Sequence, residues 1–445
     1  MDEAIILLME TIVVSCSNQA VIKKIRKVIE RDFKAKFSLR IPPKEEAILE
    51  MLDFETPELL IVNFSDSELD GTKLRDAILQ DSWLHNFGII GLYDIETDRE
   101  EGIIDRNRDI NLLSLVDFGR INSHLGKSLE ILDNNRQMIF QGFLADKLVN
   151  RMLGKFEIDN RDYLLISIYG GILANFLVRH GKIPSRDRFT VQMALSELLL
   201  NAIEHGNCSI SYQEKANWLA SGEGINELIE ERCRNPEIAA KKVLLSWEIG
   251  ERTCDFKISD EGEGFDVSAY RSRIKSESHE RLHGRGILMA QLGGNKLTYN
   301  EKGNQVTLKV NLRKVIENPA PIGFSDQELI KVKKGDTLMR AGEYGDCIYY
   351  VSSGEYTVYY LDKPVGLITP ADIFMGEMSF LLGNTRSATV VAKTAGQVIK
   401  IPRKNFVDVI KEYPQYSIFL LKILAQKLVR SNESISTGLS MRNYR

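Results

Sequence analysis

The stretch Gln192–Asn207, QMALSELLLNAIEHGN, decides how this chain is read. Its good helix formers predict a helix. Glu197, Asn201 and His205 recur at four-residue steps along it, so a carboxylate, an amide and an imidazole share one stripe. A solvated polar face would give the same pattern, and the helix alone does not choose between a face and a site.

Two later segments bear on that choice. Lys257–Asp266, KISDEGEGFD, places Asp260 at a strand end, followed by Gly262 and Gly264, where missing Cβ atoms let the backbone approach a ligand. His283–Leu292, HGRGILMAQL, is a second glycine turn, Gly284 and Gly286, leading into an apolar helix whose first amides would face phosphates. In this order the three boxes resemble the N, G1 and G2 boxes of the GHKL ATPase superfamily, and more closely its anti-sigma-factor serine kinases. The resemblance runs from about Lys155 to Arg313 and includes a closing strand, GNQVTLKV. It implies ATP and Mg²⁺ as cofactors. Asn201 would hold the metal and Glu197 would act as general base toward a serine or threonine hydroxyl. Asp260 would accept from the adenine amino group, with Gly262 and Gly264 beside base and ribose. Gly284, Arg285 and Gly286 would form the phosphate-side lid. A histidine kinase would need an upstream phosphoacceptor, and His124 lacks an H-E/D context. Between Asn207 and Lys242 lies a polar insert of helical character, either a partner surface or padding.

Upstream, Thr11–Ser15, Leu59–Phe64 and Gly88–Tyr93 read as buried parallel strands, alternating with helical spacing over Ala20–Asp32 and Thr72–Gln80. PELLIVNFSDSELDG is similar to the third strand and following loop of a response-regulator receiver domain, in which a strand-end aspartate takes phosphate. Here Asn63 holds that position, Ser15 and Cys16 stand where the acidic pair would bind Mg²⁺, and Tyr93 replaces the switch hydroxyl. An amide is too weak a nucleophile for the reaction, so the resemblance implies a pseudo-receiver scaffold. Leu125, Leu129, Leu132, Ile139, Phe143 and Leu148 then recur at helical steps, giving a connecting helix that either faces a core or forms a homodimer stem.

After Pro319 the texture changes to short alternating strands between glycine turns, as in an antiparallel β-roll. Phe374–Val390, FMGEMSFLLGNTRSATV, resembles the phosphate cassette of cyclic nucleotide-binding domains. That resemblance implies cAMP or cGMP as ligand, with Arg386 on the cyclic phosphate and Glu377 on the ribose 2′-hydroxyl. Gly376 and the short helix with Met378 and Ser379 would aim amides at the phosphate, and Ser387 would add a hydroxyl. The helix expected before the roll is shortened to FSDQELI, Phe324–Ile330, and Lys404–Glu433 would supply lid and hinge helices.

Composition sets the outer limits. A length of 445 residues argues for roughly three domains, and 43% hydrophobic with 27% charged residues excludes a disordered chain. Lys plus Arg number 58 against 62 Asp plus Glu, so no global basic field draws nucleic acid. Five scattered cysteines without a CxxC point to a reducing compartment. The apolar run Ala4–Cys16, broken by Glu10, is too short to cross about 30 Å of hydrocarbon.

The chain therefore reads as a multidomain α/β and α+β protein. A doubly wound receiver-like domain spans 1–122, a connecting helix 123–152, an α/β-sandwich GHKL ATPase domain 153–315, and a C-terminal β-roll with flanking helices 316–445. The expected function is cytoplasmic signalling by an anti-sigma-type serine/threonine kinase under a cyclic-nucleotide sensor. Its partner would be an anti-sigma antagonist or a sigma-factor-like regulator, with no membrane or nucleic acid involved. The alternatives are a non-catalytic, ATP-dependent partner switch and a histidine kinase.

Overall fold

The computed structural model describes residues 10–34, 36–81, 84–135, 153–179, 182–222, 224–250, 252–267, 295–312, 321–425 and 427–428. Near the N-terminus, strands β1 (Glu10–Ser15), β2 (Phe37–Arg40), β3 (Leu59–Asn63), β4 (Gly88–Tyr93) and β5 (Leu112–Asp117) form a parallel sheet in the order β2-β1-β3-β4-β5. Both faces are covered, as an all-parallel sheet requires. Ile12, Val14, Ile61 and Ile90 face α1 (Gln19–Asp32), whereas Val13, Leu60, Val62 and Ile89 face α2 (Glu45–Phe54) and α3 (Gly71–Gln80). The Asp70-Gly71 pair starts α3: the Asp70 carboxylate caps the helix by accepting from the Thr72 and Lys73 amides. Helix α4 (Glu100–Arg106) precedes the edge strand β5.

The connecting helix is core-facing where it is described. It begins with a π-helical turn at Ile121–Leu125 and continues as α5 (Gly126–Asn134), with Leu125, Leu129 and Leu132 fully buried. Ile139, Phe143 and Leu148 lie outside the described residues.

The middle unit pairs β6 (Leu153–Asp159), β7 (Lys242–Ile249), β8 (Thr253–Ser259), β9 (Lys296–Tyr299) and β10 (Gln305–Asn311) in the antiparallel order β6-β7-β8-β10-β9. Helices α6 (Ile166–Arg179) and α7 (Arg188–Asn201) pack on one face, burying Phe176, Leu177, Leu195 and Leu199 against Leu245, Phe256 and Leu308. The run Asn160–Val178 is apolar and long enough to cross a bilayer, yet it is spent in this core. No gap separates the middle unit from the first: β5 and α5 share one continuous hydrophobic core with α6 and α7. Gln192 donates to the Leu112 carbonyl at 3.0 Å, Asn175 to Asn111 Oδ1 at 2.8 Å, and Arg188 to the Asp109 carbonyl at 3.3 Å. The insert folds as α8 (Tyr212–Ala220), α9 (Ile225–Arg232) and α10 (Pro236–Ala240).

The C-terminal unit holds two four-stranded sheets. One contains β11 (Glu328–Val332), β13 (Cys347–Ser353), β16 (Phe374–Met375) and β18 (Gly396–Pro402); the other contains β12 (Thr337–Met339), β14 (Tyr356–Tyr360), β15 (Lys363–Ile368) and β17 (Thr389–Ala392). The segment FSDQELI corrects its expected helix. Glu328–Val332 pairs with Gly396–Lys400 as a strand, and among the described residues only a 3₁₀ turn, Ile322–Phe324, precedes it, because Ile330 and Val332 turn inward at alternate positions while Leu329 and Lys331 stay exposed. Helix α11 (Glu377–Leu382) follows β16, and α12 (Arg403–Glu412) and α13 (Gln415–Ala425) follow β18. All five cysteines are free and buried.

Candidate nucleotide sites

The first site is built on α7. Glu197 and Asn201, one turn apart, are half-buried, and neither side chain makes a hydrogen bond among the described residues. Burial pushes the Glu197 carboxyl above the usual carboxylate range; nearby Lys215 and His205 work against the rise, and Glu204 adds to it. The expected stripe does not continue to His205. The helix widens into a π-helical turn over Ala202–Asn207, and His205 packs on the Tyr212 ring at 4.1 Å, its Nδ1 turned to the Ile210 carbonyl.

That turn buries a residue the stripe omitted. Glu204, 1% exposed, accepts from Tyr163 Oη at 3.0 Å and from Lys215 Nζ of α8 at 2.6 Å. Its charge is satisfied, whereas that of Glu197 is not. Asn207 at the end of the turn is fully buried, donating to Asn160 and accepting from the Glu261 amide at 2.8 Å. It thereby ties the helix to the loop after β8.

Asp260 stands at the head of that loop, accepting from the Gly262 amide at 2.9 Å, and burial pushes its carboxyl up while this bond opposes the rise. The glycines set its position. A Cβ on Gly206 would lie 2.4 Å from Asp260 Cγ, and one on Gly262 2.4 Å from the Gly206 carbonyl oxygen, so helix and loop meet only without side chains there. Gly264, at φ +84°, passes so close to Lys302 that a Cβ would sit 1.9 Å from its carbonyl oxygen. Gly284, Arg285 and Gly286 lie outside the described residues.

An unpaired amide beside a half-buried carboxylate fits a triphosphate-bound Mg²⁺, which takes one or two protein oxygens and completes its shell with phosphates and water. No cluster of His, Cys, Asp and Glu able to hold a metal by itself occurs among the described residues.

The second site lies where β16 meets α11. Arg386, 6% exposed, donates through Nη1 to the Gly376 carbonyl and Ser379 Oγ, each at 2.8 Å, and through Nη2 to the Cys347 carbonyl at 2.6 Å. None of these partners carries a charge, and Arg386 forms no ion pair among the described residues. A buried cation held only by neutral acceptors suits an anion. Gly376, at φ +81°, lets it approach, since a Cβ there would be 2.5 Å from Nη1. Ser379 orients the guanidinium; Met378 and Ser387 are exposed. Glu377 is engaged by a residue absent from the expected set: Lys427, beyond α13, donates to its Oε1 at 2.7 Å and to the Phe374 carbonyl at 3.1 Å. The apolar spacing of Lys404–Glu433 predicted the helix that brings it, while the polar pairing left no periodic signal.

The chain matches two family models, a histidine kinase-like ATPase domain over residues 170–310 and a cyclic nucleotide-binding domain over 329–413. It carries both domains. It is 38% identical over 76 residues to the cAMP-dependent protein kinase type II regulatory subunit of Drosophila melanogaster, covering 17% of this chain and 20% of that protein. To the cGMP-dependent protein kinase of Plasmodium berghei it is 29% identical over 143 residues, covering 30% of this chain and 16% of that one. The chain thus spans a fifth or less of these relatives. Among solved structures, the catabolite activator protein of Thermus thermophilus matches 26% of this chain and 56% of its own, with 23% identity and a TM-score of 0.24.

Proposed function

We propose that this chain is a cytoplasmic signalling protein in which an ATP-dependent serine/threonine kinase module of anti-sigma type is regulated by cAMP or cGMP. The observation that carries the reading is the contrast along one helix and the π-helical turn that extends it: Glu204 is fully paired, while Glu197 and Asn201 stand half-buried and unpaired on the helix whose following turn, at Gly206 and Asn207, meets Asp260 and its glycine loop. Asn201 would hold Mg²⁺, Asp260 the adenine amino group, and ATP supplies the phosphoryl group. Glu197 takes the proton of a partner's hydroxyl as that oxygen bonds to the γ-phosphorus and ADP departs. At the second site Arg386 meets the cyclic phosphate, and Glu377 meets the ribose.

The N-terminal unit supports a receiver-like scaffold reading. Its sheet order is that of flavodoxin-like doubly wound domains. Asn63 is buried at the end of β3, donating to Asp66 at 3.1 Å, and Asp66 also accepts from Ser17 Oγ and its amide.

The deciding experiment incubates the protein with labelled ATP and anti-sigma-antagonist or sigma-factor-like partners. Phosphate on a partner serine or threonine, lost in Glu197→Gln while ATP still binds, supports the kinase. Tight ATP-dependent partner binding without transfer points instead to a partner switch, and label on a histidine to a histidine kinase.

A further inference from the structure

The C-terminal helix touches two places at once. At one end Lys427 holds Glu377 and the Phe374 carbonyl, which follows Ile373 at φ +64°. Five residues earlier, Lys422 Nζ donates to the Thr56 carbonyl at 2.8 Å and to Thr56 Oγ1 at 3.0 Å, with Glu58 Oε1 at 3.4 Å. Tyr416 Oη donates to Asp81 Oδ2 at 2.8 Å, and Leu84 is buried within the aromatic core of Phe324, Tyr416 and Phe419. Thr56 and Glu58 precede β3, and Asp81 and Leu84 precede β4, so the described hydrogen bonds that leave the C-terminal domain end on the N-terminal α/β unit.

Thr56 is a β-branched residue at φ +43°, a conformation it holds only when its surroundings demand it. Lys422 satisfies both of its oxygens. From there the connection is short: the Glu58 carboxylate accepts from the Thr11 amide at 2.7 Å, fastening the loop to β1. At the far edge of the same sheet, the β5 region receives Gln192, Asn175 and Arg188 from the ATPase helices, α7 among them, which carries Glu197 and Asn201.

We infer that the α/β unit relays cyclic-nucleotide occupancy to the ATP site, with Lys427 as the trigger and Lys422 as the link. The inference rests on the cyclic-nucleotide reading of the second pocket. A ribose hydroxyl that takes Oε1 of Glu377 displaces Lys427 from it, and that releases one end of the segment whose other contacts hold the Thr56 loop. The segment then shifts on β3 and β4, and the sheet transmits the shift through β5 to α7. A relay of this kind needs two arrangements that both ligands bias.

The test uses the full chain and calorimetry with cAMP, cGMP and Mg-ATP. In wild type, Mg-ATP should change cyclic-nucleotide affinity by about 5- to 150-fold. Lys422→Ala and the milder Tyr416→Phe should bind each ligand alone as wild type does, with the coupling reduced toward unity. Lys427→Met should tighten cyclic-nucleotide binding about tenfold and, with no cyclic nucleotide present, bind Mg-ATP as nucleotide-loaded wild type does. Full coupling retained in both Lys422→Ala and Tyr416→Phe would overturn the relay, as would a wild type that binds both ligands without coupling. If wild type bound no cyclic nucleotide, the reading of the second pocket would fail. The Lys427→Met arm would then separate the two failures: a change in Mg-ATP affinity would leave a mechanical link between the sites without its ligand, and no change would overturn the link as well.

Discussion

Glu197 and Glu204 sit seven residues apart, one on α7 and one in the π-helical turn that extends it, and meet opposite fates. Glu204 disappears beneath Tyr163 and Lys215; Glu197 keeps a half-buried carboxylate with no hydrogen bond among the described residues. Burial raises the folded-state pKa of Glu197, so the ionised form costs stability above that pKa, and the cost vanishes below the unfolded value. Glu197→Gln should therefore melt higher than wild type at neutral pH without ATP, and the advantage should shrink as pH falls through the folded pKa. Melting curves across pH check this, and the same variant should bind Mg-ATP yet transfer no phosphate. Asn201→Ala should lose the ATP-dependent rise in melting temperature, a stabilisation of about 2.7 kcal/mol at a hundredfold excess over Kd. Arg386→Ala should weaken cyclic-nucleotide binding about 10- to 100-fold, because the phosphate would enter without its charged donor. Glu197, Asn201, Asp260, Glu377 and Arg386 were singled out as candidates by a helical stripe, by glycine pairs and by the family resemblances those motifs carry. Glu204 and Lys427 were not, since a buried ion pair depends on where distant elements meet.

At the scale of elements, the π-helical turn shows why a four-residue stripe misleads at His205. One extra residue in the turn moves the imidazole onto Tyr212 and the carboxylate of Glu204 inward. The insert is more than padding, for α8 supplies the Lys215 that pairs Glu204. The contact of Gly206 with Asp260 is just as local: Gly206→Ala should lower ATP affinity at least tenfold while far-UV circular dichroism stays native, as an added Cβ displaces the carboxylate. In the α/β unit β1, β3, β4, α1 and α3 followed from apolar runs and period, whereas β2, α2 and α4 were not read. The segment Phe324–Ile330 did not follow from them, because seven residues are too few to separate a short helix from an edge strand. In the loop after β3, hydrogen bonds from Ser17, Glu68 and Leu69 outweigh the effect of burial and hold the Asp66 carboxyl below the usual range. With Asn63 where the receiver resemblance would place the acceptor, residues 10–118 should form no acyl phosphate on treatment with acetyl phosphate; a stable adduct on Asp66, read by mass spectrometry, would show that the closed network opens.

The whole molecule is less divisible than its sequence. Texture changes near Ser123 and Pro319 mark three units, but the hydrophobic core runs without a break from Ile12 through Phe176 to Val310. The boundary near residue 122 is thus one of topology rather than of packing, and long-range burial of this kind leaves no periodic trace. The arrangement joins an ATP site and a cyclic-nucleotide site through one sheet, and linkage then requires equal factors in both directions. The most direct measurement is a pair of calorimetric titrations on wild type: cyclic nucleotide with and without Mg-ATP, and Mg-ATP with and without cyclic nucleotide. The account predicts that both ligands bind, and that the two affinity ratios are equal to each other and different from one. Saturable binding of only one ligand, or ratios of one in both titrations, would contradict it.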